Sequence, residues 1–331
     1  MIATRLTERF KLQHPIVCAP MALVTGGKLA AAVTAAGGLG ILGGGYAGTQ
    51  SGAHGGEPDL DEEYRAAGNT PIGIGFISWA VHHAPRMVDW ALAKKPACLF
   101  LSFGELQPFA RQAQEAGVPL FAQAQTMAHV RAAVDAGAAV VIAQGAEAGG
   151  HGGARSTLPF VPEAADWLAK HAPDVLLLAA GGIADGRGLA AALTLGADGV
   201  LVGSRFWAAD EALTHADAVA RGIAADGDAT VRTAALDPLR GVDWPAEFSF
   251  RVLRNTFAGE WQGRDAEARA QFGTLKEAYA QARTRGDYEM ALTVVGEATG
   301  LIHAREPAAR IVASMVAEAE AALRRAAAKV V

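Results

Sequence analysis

From Pro15 to Ser204 the chain alternates short apolar runs with longer stretches of helical periodicity, and glycine stands at several of the joins. Pro15-Ile16-Val17-Cys18-Ala19 is unbroken in its apolar character, the pattern of a strand buried on both faces. Residues 28–36 are alanine-rich and predict a helix, which Gly37-Gly38 stops before the strand Leu39-Gly40-Ile41-Leu42. The unit recurs: a helix over 105–116, Gly117, a strand over 118–122; a helix over 127–136, Gly137, a strand over 138–143. Further strands are predicted at 72–77, 98–103, 175–180 and 199–202. About eight strand–helix units with apolar strands predict an α/β fold with a parallel sheet closed into a (β/α)8 TIM barrel.

A doubly wound sheet is the competing architecture, and Gly38-x-Gly40-x-x-Gly43 matches the dinucleotide fingerprint literally. That fingerprint needs a strand before it and a helix after it. Here a helix precedes and the glycines lie in and beyond the strand, so the match is set aside. After Ser204 the rhythm changes. Residues 213–293 carry more charge and more aromatics, among them Trp244, Phe248, Phe250, Phe257 and Trp261, with no strand–helix repeat. They are expected to form a mostly helical cap over the barrel mouth, the barrel itself comprising 1–212 and 294–331. Glu306-Pro307 then opens a last helix, since proline suits a first turn, with Ile311, Val312, Met315, Val316, Ala319 and Leu323 at helical spacing for docking on the barrel exterior.

A length of 331 residues with 51% hydrophobic positions allows one large core with a smaller companion. The net charge of −5 without a basic cluster argues against a nucleic-acid or anionic-membrane partner. No apolar run approaches the ~18 residues of a membrane span, and the N-terminus lacks the apolar centre of a signal peptide, so a soluble, cytoplasmic protein is expected. Cys18 and Cys98 sit in apolar strand-like runs and match no metal spacing; they are expected to be buried free thiols.

Candidate chemistry concentrates where strands end. Val140-Val141-Ile142-Ala143 runs into Gln144-Gly145-Ala146-Glu147-Ala148-Gly149-Gly150-His151-Gly152-Gly153. Glycine lets backbone N–H groups approach a ligand closely, and histidine suits proton transfer near neutral pH. The seventh barrel strand ends in Ala180-Gly181-Gly182-Ile183-Ala184-Asp185-Gly186, and the eighth in Val202-Gly203-Ser204-Arg205. Barrels often bind phosphate with the loops after these two strands, and two glycine turns plus the Ser204 hydroxyl make an anion cradle. Arg205 either adds charge to that cradle or points away. The long insertion over 43–70, with His54, follows the second strand and so lies at the catalytic end; Phe76 and Trp79 are candidates to line a pocket, and His82-His83 to open a solvated helix.

Together these stretches resemble the nitronate monooxygenase family, formerly the 2-nitropropane dioxygenases, over essentially the whole chain. Pro15 to Ala22, the Glu-Ala-Gly-Gly-His core ending at His151, the turns at Gly181-Gly182 and Gly203-Ser204, Arg254-Asn255-Thr256 and Ala298 to Ile302 carry the resemblance. It implies an FMN-dependent barrel in which His151 is the base beside the flavin. Pro20, Met21 and Ala22 would pack along the isoalloxazine, with Gln123 and Gln144 near its polar edge. Gly149 would approach the flavin or ribityl chain, and Gly181, Gly182, Gly203 and Ser204 would hold the phosphate. Some relatives, notably those resembling NADH:quinone reductases, carry Lys at position 123 and Asp at position 144, and many carry Gln where Glu297 stands, so this chain departs from them at three positions. The implied activity is oxidation of alkyl nitronates, with nitroalkanes left open, by O2 to a carbonyl compound and nitrite. The alternatives are an NAD(P)H-dependent FMN reductase of quinones or enoyl thioesters on the same fold, and a barrel that binds a flavin or phosphate ligand without catalysis.

Overall fold

A computed structural model describes residues 2–46, 59–240, 242 and 244–330. Most of the insertion over 43–70, with His54, lies outside the described residues. Eight parallel strands close into a barrel: β1 (Ile16–Cys18), β2 (Leu39–Gly45), β3 (Gly73–Ile77), β4 (Leu99–Ser102), β5 (Leu120–Ala124), β6 (Val140–Gln144), then β8 (Leu176–Ala180) and β9 (Gly199–Val202). Closure comes from β9 returning to β1, with Ile16 opposite Val200 and Val17 opposite Leu201. The predicted TIM barrel is the observed one. One strand between the sixth and seventh of the barrel, β7 (Gly150–Gly152), leaves the barrel for a separate sheet.

Successive side chains of a strand point to opposite faces, and in this barrel both faces are buried. Val17, Ile41, Phe100, Phe121, Ile142 and Leu178 fill the interior. Ile16, Cys18, Leu42, Leu99, Val141 and Val200 pack outward with the surrounding helices. That is why the strands read as continuous apolar runs. The helix Arg5–Phe10 sits where β9 begins: Arg5 forks onto Asp198 at 2.8 and 2.7 Å, Leu6 joins the interior cluster, and Phe10 meets Phe121 edge-on at 5.1 Å. The final helix, Ala308–Ala327, buries Ile311, Val312, Met315, Val316 and Ala319, and packs on Gly186–Thr194 and Gly27–Ala35.

Residues 213–293 are largely helical, as expected, but also hold β10 (Thr230–Thr233) and β11 (Ser249–Leu253). These form a three-stranded antiparallel sheet with β7, in the order β10-β11-β7. Each strand is too short for its alternation to stand out: Phe250 and Val252 are buried while Ser249 and Arg251 are less so. Val231, Leu236, Phe250, Val252, Phe257, Trp261 and Tyr279 give this segment an apolar cluster of its own.

Cys18 and Cys98 are buried and free, as expected. Burial pushes the Cys18 thiol up to about 12 and raises Cys98 as well, since a thiolate in an apolar interior loses its hydration. Neither should react with a water-soluble thiol reagent at pH 8 in the folded protein, and both should react in denaturant; rapid labelling of the native protein would contradict this burial.

Candidate active site

The C-terminal ends of the barrel strands and the residues above them enclose a cavity of about 490 Å³. Pro20, Met21 and Ala22 line it after β1, and Gln123 and Gln144 from the ends of β5 and β6. Gly149 and His151 line it from the sixth-strand loop, Gly181 and Gly182 after β8, and Gly203 and Ser204 after β9. All the site residues expected from sequence therefore face one space. Phe76, Ile77 and Phe103 add apolar wall. Trp79 packs edge-on against Tyr46 and Trp244 at 5.9 and 5.3 Å, and His82 and His83 are exposed.

Two neighbours turn out to serve structure. The Glu147 carboxylate accepts from the Thr157 backbone N–H at 2.9 Å and its hydroxyl at 2.8 Å, at the start of the helix Thr157–His171. A carboxylate there satisfies an otherwise unpaired first-turn donor and the positive end of the helix dipole. Arg205 turns away from the cradle: it donates to the Ala304 carbonyl at 3.2 Å and pairs with Glu306.

At the cradle, Gly181 has φ +98° and Gly182 φ +72°, a region that side chains with a β-carbon rarely adopt. A Cβ on Gly181 would also lie 2.8 Å from the Gly145 carbonyl oxygen. Gly203 differs. A Cβ there would meet nothing nearer than Met21 Sδ at 3.7 Å, so that position is kept open toward the cavity rather than forced by packing. Ser204 Oγ accepts from the Gly296 N–H at 2.9 Å, which leaves its own proton to donate. Gly149 has a packing reason to be glycine, since a Cβ would stand 2.5 Å from the Gly296 nitrogen.

His151 lies on β7, directly opposite Phe250 of β11. Same-face partners across an antiparallel pair come into contact, and the two rings stack at 4.4 Å with 17° between planes. Trp244 stacks on the imidazole at 3.4 Å and 7°. Two rings cannot share one side at these distances, so both imidazole faces are covered. Nε2 stands 3.0 and 2.9 Å from the two carboxylate oxygens of Asp237, and both residues are buried. The Trp244 indole N–H donates to the Tyr46 hydroxyl at 2.9 Å, and Phe103 meets Trp244 and Phe248 edge-on at 5.1 Å each. Sequence reading misses Asp237 because it is 86 positions from His151, in a segment with no periodic link to the barrel.

The loop that carries His151 is held by buried polar groups. Arg232 on β10 donates to the carbonyls of Ala146, Ala148, Gly152 and Ser249. Burial, reinforced by the neighbouring Arg251 cation, pushes the Arg232 guanidinium down to about 10. Arg251 donates to Ala146 at 3.0 Å and pairs with Glu297 at 2.7 Å. Gln144 donates to the His151 carbonyl at 3.1 Å and accepts from Gln125 at 3.0 Å. Gln123 is left with a buried amide nitrogen, Nε2, that has no partner among the described residues.

A family model described as nitronate monooxygenase matches residues 3–74 and 77–318. The chain belongs to the nitronate monooxygenase family. It is 36% identical to nitronate monooxygenase npaC of Metarhizium robertsii, over 93% of this chain and 91% of that protein. A nitronate monooxygenase of Neurospora crassa is 32% identical over 92% of this chain and 89% of its own length. Among solved structures, FabK from Thermotoga maritima superposes with a TM-score of 0.84 at 29% identity over the full length of both chains. A nitroalkane oxidase from Streptomyces ansochromogenes gives 0.75 at 26%, over 97% of this chain and 99% of that one. Membership makes the chain an oxidoreductase, and nitronate monooxygenases are generally flavin-dependent. The cavity fits such a group: the paired glycine turns suit an anion, and the unpartnered Gln123 Nε2 suits a ring carbonyl. Among the described residues no helix is long and apolar enough to cross a membrane, and no cluster of ligating side chains suits a metal ion.

Arg232→Met would take a donor from four carbonyls around the His151 loop, of which Ala146 keeps Arg251, and a buried acceptor left unpaired costs about 1–3 kcal/mol. The midpoint of denaturant unfolding should fall accordingly; an unchanged midpoint would show that those carbonyls find other donors.

Proposed function

We propose that the protein is an FMN-dependent monooxygenase that oxidises alkyl nitronates with O2 to a carbonyl compound and nitrite. The observation that carries this reading is a single cavity with His151 on its wall and the Gly181-Gly182 and Gly203-Ser204 turns also lining it. In this reading the N–H groups of those turns and the Ser204 hydroxyl hold the FMN phosphate. Pro20, Met21 and Ala22 support the ring system, Gly149 lets the chain pass close to it, and the Gln123 and Gln144 amides address its polar edge. Bound FMN supplies the electron acceptor for the carbanion-like nitronate and the centre that engages oxygen.

The chain's own residues do the rest. Phe76, Phe103 and Trp244 make an apolar wall suited to an alkyl group. Residues 213–293 act as the cap that excludes water. A nitronate arrives already deprotonated and needs orientation alone. A neutral nitroalkane must first lose the proton on the carbon bearing the nitro group, and His151 removes it as general base. The uncharged amides at Gln123 and Gln144 favour this reading over a nicotinamide-dependent reductase of the kind that carries Lys and Asp at those positions.

The purified protein should be yellow, and heating should release FMN. Gly203→Val should keep the fold and lose flavin occupancy, because its side chain enters open cavity, whereas Gly181→Val should also lower the melting temperature through its positive φ. Normal flavin content in Gly203→Val would remove that turn from the phosphate site. His151→Asn should retain FMN, lose roughly 10²–10⁴-fold in rate on neutral nitroalkane and far less on preformed nitronate. Initial rates with freshly mixed substrate of each ionic form decide it: an equal loss on both forms would sink the base role.

A further inference from the structure

We infer that Asp237 is the positioning residue of this site, holding His151 in a single tautomer and orientation for proton abstraction; the inference rests on the base role proposed above. The geometry that points to it is the contact of both Asp237 carboxylate oxygens with one imidazole nitrogen, Nε2, at 3.0 and 2.9 Å. An ionised carboxylate only accepts hydrogen bonds, so Nε2 carries the hydrogen and the basic lone pair of the neutral ring is the one on Nδ1. Trp244 and Phe250 cover the two ring faces, so the imidazole meets the cavity by its edge. A turn of the ring about its Cβ–Cγ bond, which would put Cε1 where Nε2 meets the carboxylate, is blocked by the same two rings.

The proton step then balances simply. The carbon–hydrogen bond of the nitroalkane breaks, its electron pair stays on the substrate as the nitronate, and the proton goes to Nδ1. The imidazolium so formed keeps its Nε2–H on the Asp237 carboxylate, which stabilises the charge without accepting the proton. Among the described residues, several nearby charged groups are engaged elsewhere. Arg232 on β10 bonds loop carbonyls, and Arg251 on β11 pairs with Glu297. Glu147 caps a helix, and His129 reaches Gln144 only through Gln125 while facing Glu247 at 3.5 Å. Asp237 is in direct contact with the imidazole.

A carboxylate partner recruited from the cap also explains why the barrel alone is an incomplete site. The helix Leu236–Arg240 supplies Asp237, the following chain supplies Trp244, and β11 supplies Phe250. All three close on one imidazole that the barrel's sixth-strand loop presents.

The test has a spectroscopic arm and a kinetic arm. In the parent holoenzyme labelled with 15N-histidine, the His151 signals, assigned by their loss in His151→Asn, should show the Nε2–H tautomer alone between pH 7 and 9. Asp237→Asn, whose amide can offer either oxygen or NH2, should give a mixture or the other tautomer. A parent protein that already shows the Nδ1–H form or a mixture would overturn the inference, with no variant needed. Kinetically, Asp237→Asn should lower the rate on neutral nitroalkane by at least about 10-fold and spare preformed nitronate. In the His151→Asn background the same change should have no further effect on the nitroalkane rate. Additive losses in the two backgrounds would make Asp237 merely structural. An unchanged nitroalkane rate in His151→Asn, alongside a pinned Nε2–H tautomer in the parent, would instead sink the base role and leave the positioning geometry standing.

Discussion

His151 is where it is because β7 pairs with β11. The sixth-strand loop is rich in glycine and would have no intrinsic reason to hold one conformation. Three residues of it, Gly150 to Gly152, join the antiparallel sheet and place His151 opposite Phe250. Backbone carbonyls that this path leaves without ladder partners are taken up by the guanidinium groups of Arg232 and Arg251. Buried carbonyls must find donors, and a planar guanidinium with five N–H groups can serve several at once. Burying that cation is costly, which the lowered proton affinity of Arg232 registers.

From this pairing follows the division of labour between the barrel and residues 213–293. The barrel contributes what a closed parallel sheet does well: a rigid ring of strand ends, with glycine turns after β8 and β9 that suit an anion. It cannot by itself roof the space above them. Residues 213–293 meet the strand ends through aromatic rings in edge-on contact, Tyr46 and Phe103 of the barrel meeting Trp244 and Phe248. Such contacts need few polar groups, and the indole N–H finds the Tyr46 hydroxyl. Both Asp237 and His151 are buried, and their interaction is correspondingly less screened by water.

Polar connections run in one direction from the surface to this centre. Glu247 faces His129, His129 meets Gln125, Gln125 bonds Gln144, and Gln144 holds the His151 carbonyl. Gln144 accepts from Gln125 and donates to the His151 carbonyl, so it is oriented before any ligand enters. Gln123, on the next strand, has no such partner for its Nε2. Two glutamines of similar appearance in the sequence therefore differ: one is committed to the scaffold, the other keeps a donor in reserve.

The barrel was legible in the sequence because its signals are local. Strands such as Val140–Gln144 and Leu176–Ala180, buried on both faces, must be apolar throughout, and the glycines between helix and strand mark each turn. His151, Gly181, Gly182, Gly203 and Ser204 were legible for the same reason, since strand-end loops of a parallel barrel all open on one end. Other features needed the folded chain. Glu147, four residues before His151, caps a helix, and Arg205 beside the phosphate turn bonds Ala304 and Glu306. Asp237 and Trp244 carry no sequence signal that ties them to His151. Their contact with it is made by strand pairing and ring stacking between segments far apart in the chain, and such contacts depend on where two surfaces meet, which no local periodicity encodes.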